Sequence, residues 1–79
     1  MLSKREVEFL LDEVCTKLGF CLSPQARERL QLAPPPSPEG FATAVLLAEG
    51  LDPRSERRRH AEVLAIVQRA FGRVRAHDA

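Results

Sequence analysis

The chain has 79 residues, about half the length of a typical domain, which excludes multidomain enzymes and repeat arrays. Hydrophobic residues make up 44% of it and charged residues 29%, which excludes disordered and collagen-like chains. The chain has twelve basic and eleven acidic side chains, so its formal net charge is +1. This balance gives no overall attraction to nucleic acid or to an anionic membrane.

The two cysteines, Cys15 and Cys21, are too few for a disulfide framework. Stability is therefore expected from helix packing or from association with a partner. The sequence lacks an early apolar run with a cleavage site and an apolar stretch of bilayer length. These absences predict a cytoplasmic protein with no membrane contact.

The first helix has a well-marked start and end. Ser3 and Glu6 fit a capping box, and Leu2 and Val7 occupy the two positions of a hydrophobic staple. An apolar stripe follows at steps of three and four residues, made of Val7, Leu10, Leu11, Val14, Cys15 and Leu18. Gly19 stands where a left-handed terminator is needed. The pattern predicts a helix over 4–18.

Ser23 and Pro24 give the same kind of start signal for a shorter helix over 24–32. Three consecutive prolines, Pro34 to Pro36, then predict a stiff extended connection, because proline cannot continue a helix. A proline-rich ligand for a recognition domain is the alternative interpretation, although the flanking basic residue typical of such ligands is missing.

Ser37 and Pro38 predict a third helix over 38–49. The run from Phe41 to Ala48 is apolar nearly all round, which a short helix tolerates only where neighbours surround it. This helix is therefore expected to be the central and most buried element. Gly50 marks its end.

Asp52 and Pro53 predict the start of a fourth helix over 53–75, with residues 76–79 as a flexible tail. No segment shows the alternation of a strand. The expected fold is all-α, a compact irregular array of four helices in a single domain over residues 1–75, around a central apolar third helix.

Leu18, Gly19 and Phe20 resemble the loop between the first two helices of ubiquitin-associated domains. The resemblance implies a small three-helix fold that binds ubiquitin. The proline segment and the fourth helix depart from that pattern, and a glycine followed by an apolar residue commonly ends a helix for local reasons. The chain is therefore assigned neither to that family nor to its binding residues.

Phe9 lies about 160° from the centre of the apolar stripe of the first helix at 100° per residue, so its ring is expected to point outward. Aromatic side chains are enriched in protein interfaces. A protein-binding patch or homodimer interface is the leading hypothesis, formed by Phe9 with Glu8, Asp12, Glu13 and Ile66, the last at the margin of its own stripe. The alternatives are an isolated surface ring and a ring covered by the N-terminal residues.

Charge is unevenly distributed along the chain. Residues 53–79 hold seven of the twelve basic side chains and only three of the eleven acidic ones. Three arginines, Arg58, Arg69 and Arg73, lie on one face of the predicted last helix, within about 60° around its axis. This face is a candidate contact for a nucleic-acid backbone. The alternative is a solvated face, neutralised by Glu56, by Glu62 and by acids of the first helix.

Metal binding and catalysis have weaker signals. Cys15, Cys21 and His60 could supply zinc ligands, but a single C-x5-C pair departs from the spacing of structural zinc sites. Cys15 is interpreted as a core residue, Cys21 as a thiol near the surface, and His60 as a hydrogen-bonded residue at the core edge. We therefore expect a non-enzymatic domain without metal, cofactor or small-molecule substrate. It is expected to associate with another protein or with itself; nucleic-acid binding is the alternative.

Overall fold

The computed structural model describes the backbone of residues 2–78 and the side chains of residues 2–73. It contains four helices, α1 (Lys4–Leu18), α2 (Pro24–Leu32), α3 (Pro38–Ala48) and α4 (Arg57–Asp78). No strand occurs over this described part of the chain, which confirms the all-α prediction. None of these helices, over the same residues, is both long and apolar enough to cross a membrane.

Serine side chains begin the first three helices as predicted. In the capping box of α1, the Glu6 N–H donates to Ser3 Oγ at 3.2 Å and the Ser3 N–H donates to Glu6 Oε1 at 2.8 Å. Ser23 and Ser37 accept from the backbone N–H three residues further on, at 3.2 and 3.0 Å. These bonds satisfy backbone donors that the first turn of a helix leaves without a partner.

The turn after α1 contains a disulfide that the sequence interpretation missed. Gly19, with φ of 77°, ends α1, and its N–H donates to the Cys15 carbonyl at 3.0 Å. This left-handed residue turns the chain back and brings Cys21 beside the last turn of the helix, where it is bonded to Cys15. The interpretation of two separate thiols is therefore wrong, and neither sulfur is free to act as a thiolate ligand.

The core is one cluster of apolar side chains drawn from all four helices. α4 packs against both α3 and α1, while α2 packs against α1. The buried side chains of α4 are Val63, Ile66, Val67 and Ala70. The helices therefore pack in the order α3, α4, α1, α2, with α4 between α3 and α1, and α1 between α4 and α2.

α3 is buried along one face only. Phe41, Ala42, Val45 and Leu46 have no exposed surface. In contrast, Leu47 is 60% exposed and Ala48 is also exposed. The expectation of a third helix covered by its neighbours on all sides is therefore wrong for its last turn, because α4 is the one helix that packs extensively against it.

The fourth helix begins four residues later than predicted. Asp52 caps a separate turn, in which its carboxylate accepts from the Arg54 N–H at 3.0 Å and its carbonyl accepts from the Ser55 and Glu56 N–H groups. A regular helix follows from Arg57. Its backbone extends to Asp78, beyond the predicted end, and the flexibility of residues 76–79 stays a prediction. Ala79 lies outside the described residues.

Removing the Phe41 ring is expected to cost about 3–5 kcal/mol in the Phe41→Ala variant, because it leaves a cavity in a closely packed core. A chain of 79 residues has roughly 4–12 kcal/mol of total stability, so a large part of it would be lost. Leu47→Ala, on the exposed side of the same helix, should change the free energy of unfolding by less than about 0.5 kcal/mol. Denaturant unfolding measures both; equal losses would contradict the assigned burial.

Reduction of the disulfide is expected to lower stability by about 2 kcal/mol, the chain-entropy value for a short loop, here with a sequence separation of six. The corresponding fall in melting temperature is about 10 °C. Thermal unfolding with and without reductant measures it. A Cys15→Ala/Cys21→Ala double variant provides the control and should not respond to reductant. An unchanged wild-type melting temperature contradicts the stabilisation assigned to the bond.

Candidate protein-binding surface of α1

Phe9 lies on the outer face of α1 with 70% of its surface exposed. The stripe that faces the core is formed by Val7, Leu10, Leu11 and Val14, all fully or almost fully buried. Because successive residues of a helix are rotated by about 100°, Phe9 lies on the side of α1 opposite this stripe. The ring is therefore exposed as predicted, and described N-terminal residues do not cover it: Leu2 is buried in the core instead.

Two depressions border the Phe9 ring. The larger is an open groove between α1 and α4 of about 560 Å³, with Glu13 and Thr16 on one wall and Ala70 and Arg73 on the other. The smaller, of about 240 Å³, is lined by Arg5, Glu8, Phe9 and Asp12. Phe9 thus forms an apolar ridge between two concave surfaces, and Glu8, Asp12 and Glu13 lie around it as the sequence predicts.

Ile66 does not belong to this surface. It is only 3% exposed and forms part of the core cluster, so its assignment to the candidate binding patch is wrong. The prediction treated the margin of the apolar stripe as exposed. Because α4 is covered by α1 on one side and α3 on another, its buried arc is wider than that of a helix packed against a single neighbour.

Glu13, at the edge of the larger groove, forms ion pairs with three basic side chains. Lys17 Nζ donates to Glu13 Oε2 at 3.0 Å, and the guanidinium groups of Arg69 and Arg73 approach the same carboxylate to 3.8 and 3.7 Å. The hydrogen bond from Lys17, with the charges of Lys17, Arg73 and Arg69, lowers the pKa of Glu13 below its ordinary value, against the opposing effect of partial burial. The acidic face of α1 and the arginines of α4 therefore meet within one molecule.

Two further arginines of α4 also lie beside acids. Arg58 is 3.9 Å from Glu62, and Arg59 is 3.3 Å from Glu56. The Arg58 side chain is 94% exposed, so its pairing contributes little. These contacts, together with those of Glu13, favour a solvated and partly neutralised arginine face over a nucleic-acid contact for Arg58, Arg69 and Arg73.

Asp12 connects α1 to α2. Its Oδ1 accepts from Arg27 Nη2 at 2.6 Å, while the side chain keeps 60% of its surface exposed. The pairing of Asp12 with Arg27 was not predicted, because no local spacing relates residues 15 apart. The pairing of Glu13 with Lys17 was not predicted either, although a separation of four residues is a recognised signal for a helical ion pair.

His60 lies between α3 and α4. Its Nε2 is 3.1 Å from Thr43 Oγ1, and both residues are half-buried. This is the hydrogen-bonded position at the core edge that the sequence predicts. His60 is therefore accounted for by packing and contributes nothing to the surface around Phe9.

The Glu13 contacts give a pH prediction. Because the pKa of Glu13 is lowered from 4.5 on folding, its contacts stabilise the protein above that pH and are lost as the pH falls through the lowered value. We expect Glu13→Gln to reduce stability by about 0.5–1 kcal/mol at neutral pH, with the difference from wild type disappearing in acid. Denaturant unfolding at neutral and acidic pH measures it.

Glu8→Gln is the matched control, since Glu8 lies on the same helix and makes no ion pair with the described residues. Its effect should be small and should not follow the pH dependence of Glu13→Gln. A stability loss in Glu13→Gln that is equally large in acid and at neutral pH contradicts the role assigned to this carboxylate.

No protein-family model, curated protein or solved structure matches the chain. The similarity of Leu18, Gly19 and Phe20 to a ubiquitin-associated loop is thus explained locally, by the left-handed Gly19 that ends α1. Three large apolar side chains are exposed among the described residues: Phe9, Leu32 and Leu47. Of these three, Phe9 lines the two depressions beside α1.

Proposed function

We propose that the protein is a non-enzymatic binding domain that associates with another protein, or with a second copy of itself, through the outer face of α1. The observation that carries the proposal is the exposure of Phe9, 70% of which faces solvent between two depressions. Aromatic side chains at the centre of an interface commonly supply most of its binding energy. Phe9 is the anchor of the proposed contact.

The exposed ring can supply the energy of one interface hot spot. A phenylalanine side chain buries roughly 150–250 Å² when it is fully covered. Removing the exposed 70% of Phe9 from water would contribute roughly 3 kcal/mol at 25 cal/mol per Å². This is comparable to a single interface hot spot, and it exceeds what any exposed ion pair on the same face contributes.

Charged side chains around the ring give the contact its specificity. Arg5, Glu8 and Asp12 line the smaller depression with Phe9, and all are exposed. An apolar centre with a charged rim is the usual arrangement of a transient protein interface. Glu13 differs from these residues because Lys17 and two arginines of the same chain already surround it.

A catalytic role has little support among the described side chains. A nucleophilic cysteine needs a free thiolate beside a base, whereas Cys15 and Cys21 are bonded to each other. His60 is hydrogen-bonded to Thr43 at the edge of the core, between α3 and α4. We therefore propose binding, without catalysis and without a cofactor.

The redox state of Cys15 and Cys21 depends on the compartment of the protein. Disulfide bonds persist in oxidising compartments and are rare in the cytosol. The cytoplasmic location predicted from the sequence is retained as a proposal, and it requires Cys15 and Cys21 to be reduced there. Neither cysteine lines the two depressions beside Phe9, so the proposed binding surface does not need the bond.

Immobilised wild-type protein should retain binding partners from a lysate of its source cells, and Phe9→Glu should retain them at least tenfold less. The charge prevents burial of the anchor while leaving the core unchanged. Leu47→Glu is the matched control, because Leu47 is a large exposed apolar residue that lies outside both depressions. Quantitative mass spectrometry of the retained proteins, a second copy of the chain included, measures the effect.

Circular dichroism establishes that the three proteins are equally folded. If all three retain the same proteins in the same amounts, Phe9 is not an anchor and the proposed function is wrong. If Leu47→Glu loses the partners and Phe9→Glu keeps them, the binding surface lies on α3 instead.

A further inference from the structure

We propose that the partner on this surface is a second copy of the same chain, with the two α1 helices packed antiparallel across a twofold axis beside Phe9. This inference rests on the proposed function and specifies its partner. It follows from the order of charges along α1, from the contacts that each charge already makes, and from the position of the smaller depression.

The face of α1 that lines the smaller depression has opposite charges at its two ends. Two copies of this face therefore match in charge when the helices are antiparallel. Arg5, Glu8, Phe9 and Asp12 lie at successive steps of three, one and three residues and so share one side of the helix. An antiparallel pair with its axis between Glu8 and Phe9 places Arg5 opposite Asp12 of the second copy. The twofold axis repeats this pair, so one kind of contact is made twice.

A parallel arrangement has the opposite electrostatic effect. It would place Arg5 opposite Arg5 and Asp12 opposite Asp12, and like charges in such positions disfavour association. The same order of residues thus favours one orientation and opposes the other.

Both members of the proposed pair are available. Arg5 is exposed and makes no ion pair with the described residues. Asp12 is 60% exposed and uses Oδ1 to accept from Arg27. A carboxylate has a second oxygen with its own lone pairs, so Oδ2 can accept from Arg5 of the second copy while the contact with Arg27 persists.

The apolar part of the contact has the same symmetry. Each Phe9 ring stands at the rim of the smaller depression, so the ring of one copy can enter the depression of the other. There it meets the second Phe9 across the axis. Paired aromatic rings favour such offset arrangements and add to the energy of burial.

A second arrangement would place the acids of α1 against the arginines of α4 from another copy. It has weaker support because Arg69 and Arg73 already approach Glu13 of their own chain. Breaking these contacts would offset the gain from forming equivalent ones between chains.

The size of the interface limits its strength. α1 has 15 residues, about 22 Å at 1.5 Å per residue, and one helix face of this length buries less than the roughly 1,200 Å² of stable complexes. The dimer is therefore weak and its formation depends on concentration. Sedimentation equilibrium over a wide concentration range is the suitable measurement.

For the wild type we expect the average mass to rise from 8.8 kDa toward twice that value as concentration increases. Phe9→Glu should remain monomeric. Arg5→Glu alone and Asp12→Arg alone should each weaken the dimer at least tenfold, because each places like charges opposite one another.

A mixture of the Arg5→Glu and Asp12→Arg variants gives the most direct test of the proposed pairing. In a mixed pair, Glu at position 5 faces Arg at position 12, and the native Arg5 faces the native Asp12, so both contacts are again between opposite charges. The mixture should form a dimer that neither variant forms alone. Arg27→Gln is the control for loss of the intrachain contact of Asp12, and thermal unfolding of each variant checks the fold.

A wild-type chain that is monomeric at every concentration overturns this inference, as does a mixture that associates no better than its components. The lysate experiment then separates the two proposals. Phe9-dependent retention of a different protein would leave the proposed function standing with another partner. Absence of any Phe9-dependent partner would remove both.

Discussion

The burial of α4 between α1 and α3 is the constraint on which the rest of the structure depends. Val63 and Val67 are fully buried, and the helix packs against neighbours on both sides. A domain this small has little apolar surface to bury, so a helix covered twice contributes more to stability than one covered once. This packing fixes which face of α1 turns inward, and it leaves Phe9 on the face that the described parts of the other helices do not cover.

The same pairing of helices determines the electrostatics of the surface. Bringing α4 against α1 places Arg69 and Arg73 near Glu13, so the basic C-terminal part of the sequence and the acidic first helix neutralise each other locally. The charge asymmetry of the sequence is therefore largely internal to one molecule. The other edge of α1, where Arg5 and Asp12 flank Phe9, is exposed.

Local chemistry made much of this fold predictable. Serine caps and the left-handed Gly19 fixed the first two helices and the start of the third, because these signals act within a few residues. The predicted start of the fourth helix at residue 53 was wrong. A side chain such as Asp52 that caps an isolated turn has the same sequence signature as one that caps a long helix. The burial of Ile66 and the pairing of Asp12 with Arg27 depend on which helices meet, and no spacing within one helix encodes that.

Hydrogen exchange of the backbone amides in the isolated chain tests most directly whether α4 is the helix on which the fold depends. Amides between Val63 and Ala70 should exchange only through global unfolding, with opening free energies equal to the stability from denaturant unfolding. Amides of α2, which buries only Leu30 among its own described side chains, should exchange sooner. If the α4 amides exchange at energies well below global unfolding while α2 stays protected, α4 is not the helix that organises this structure.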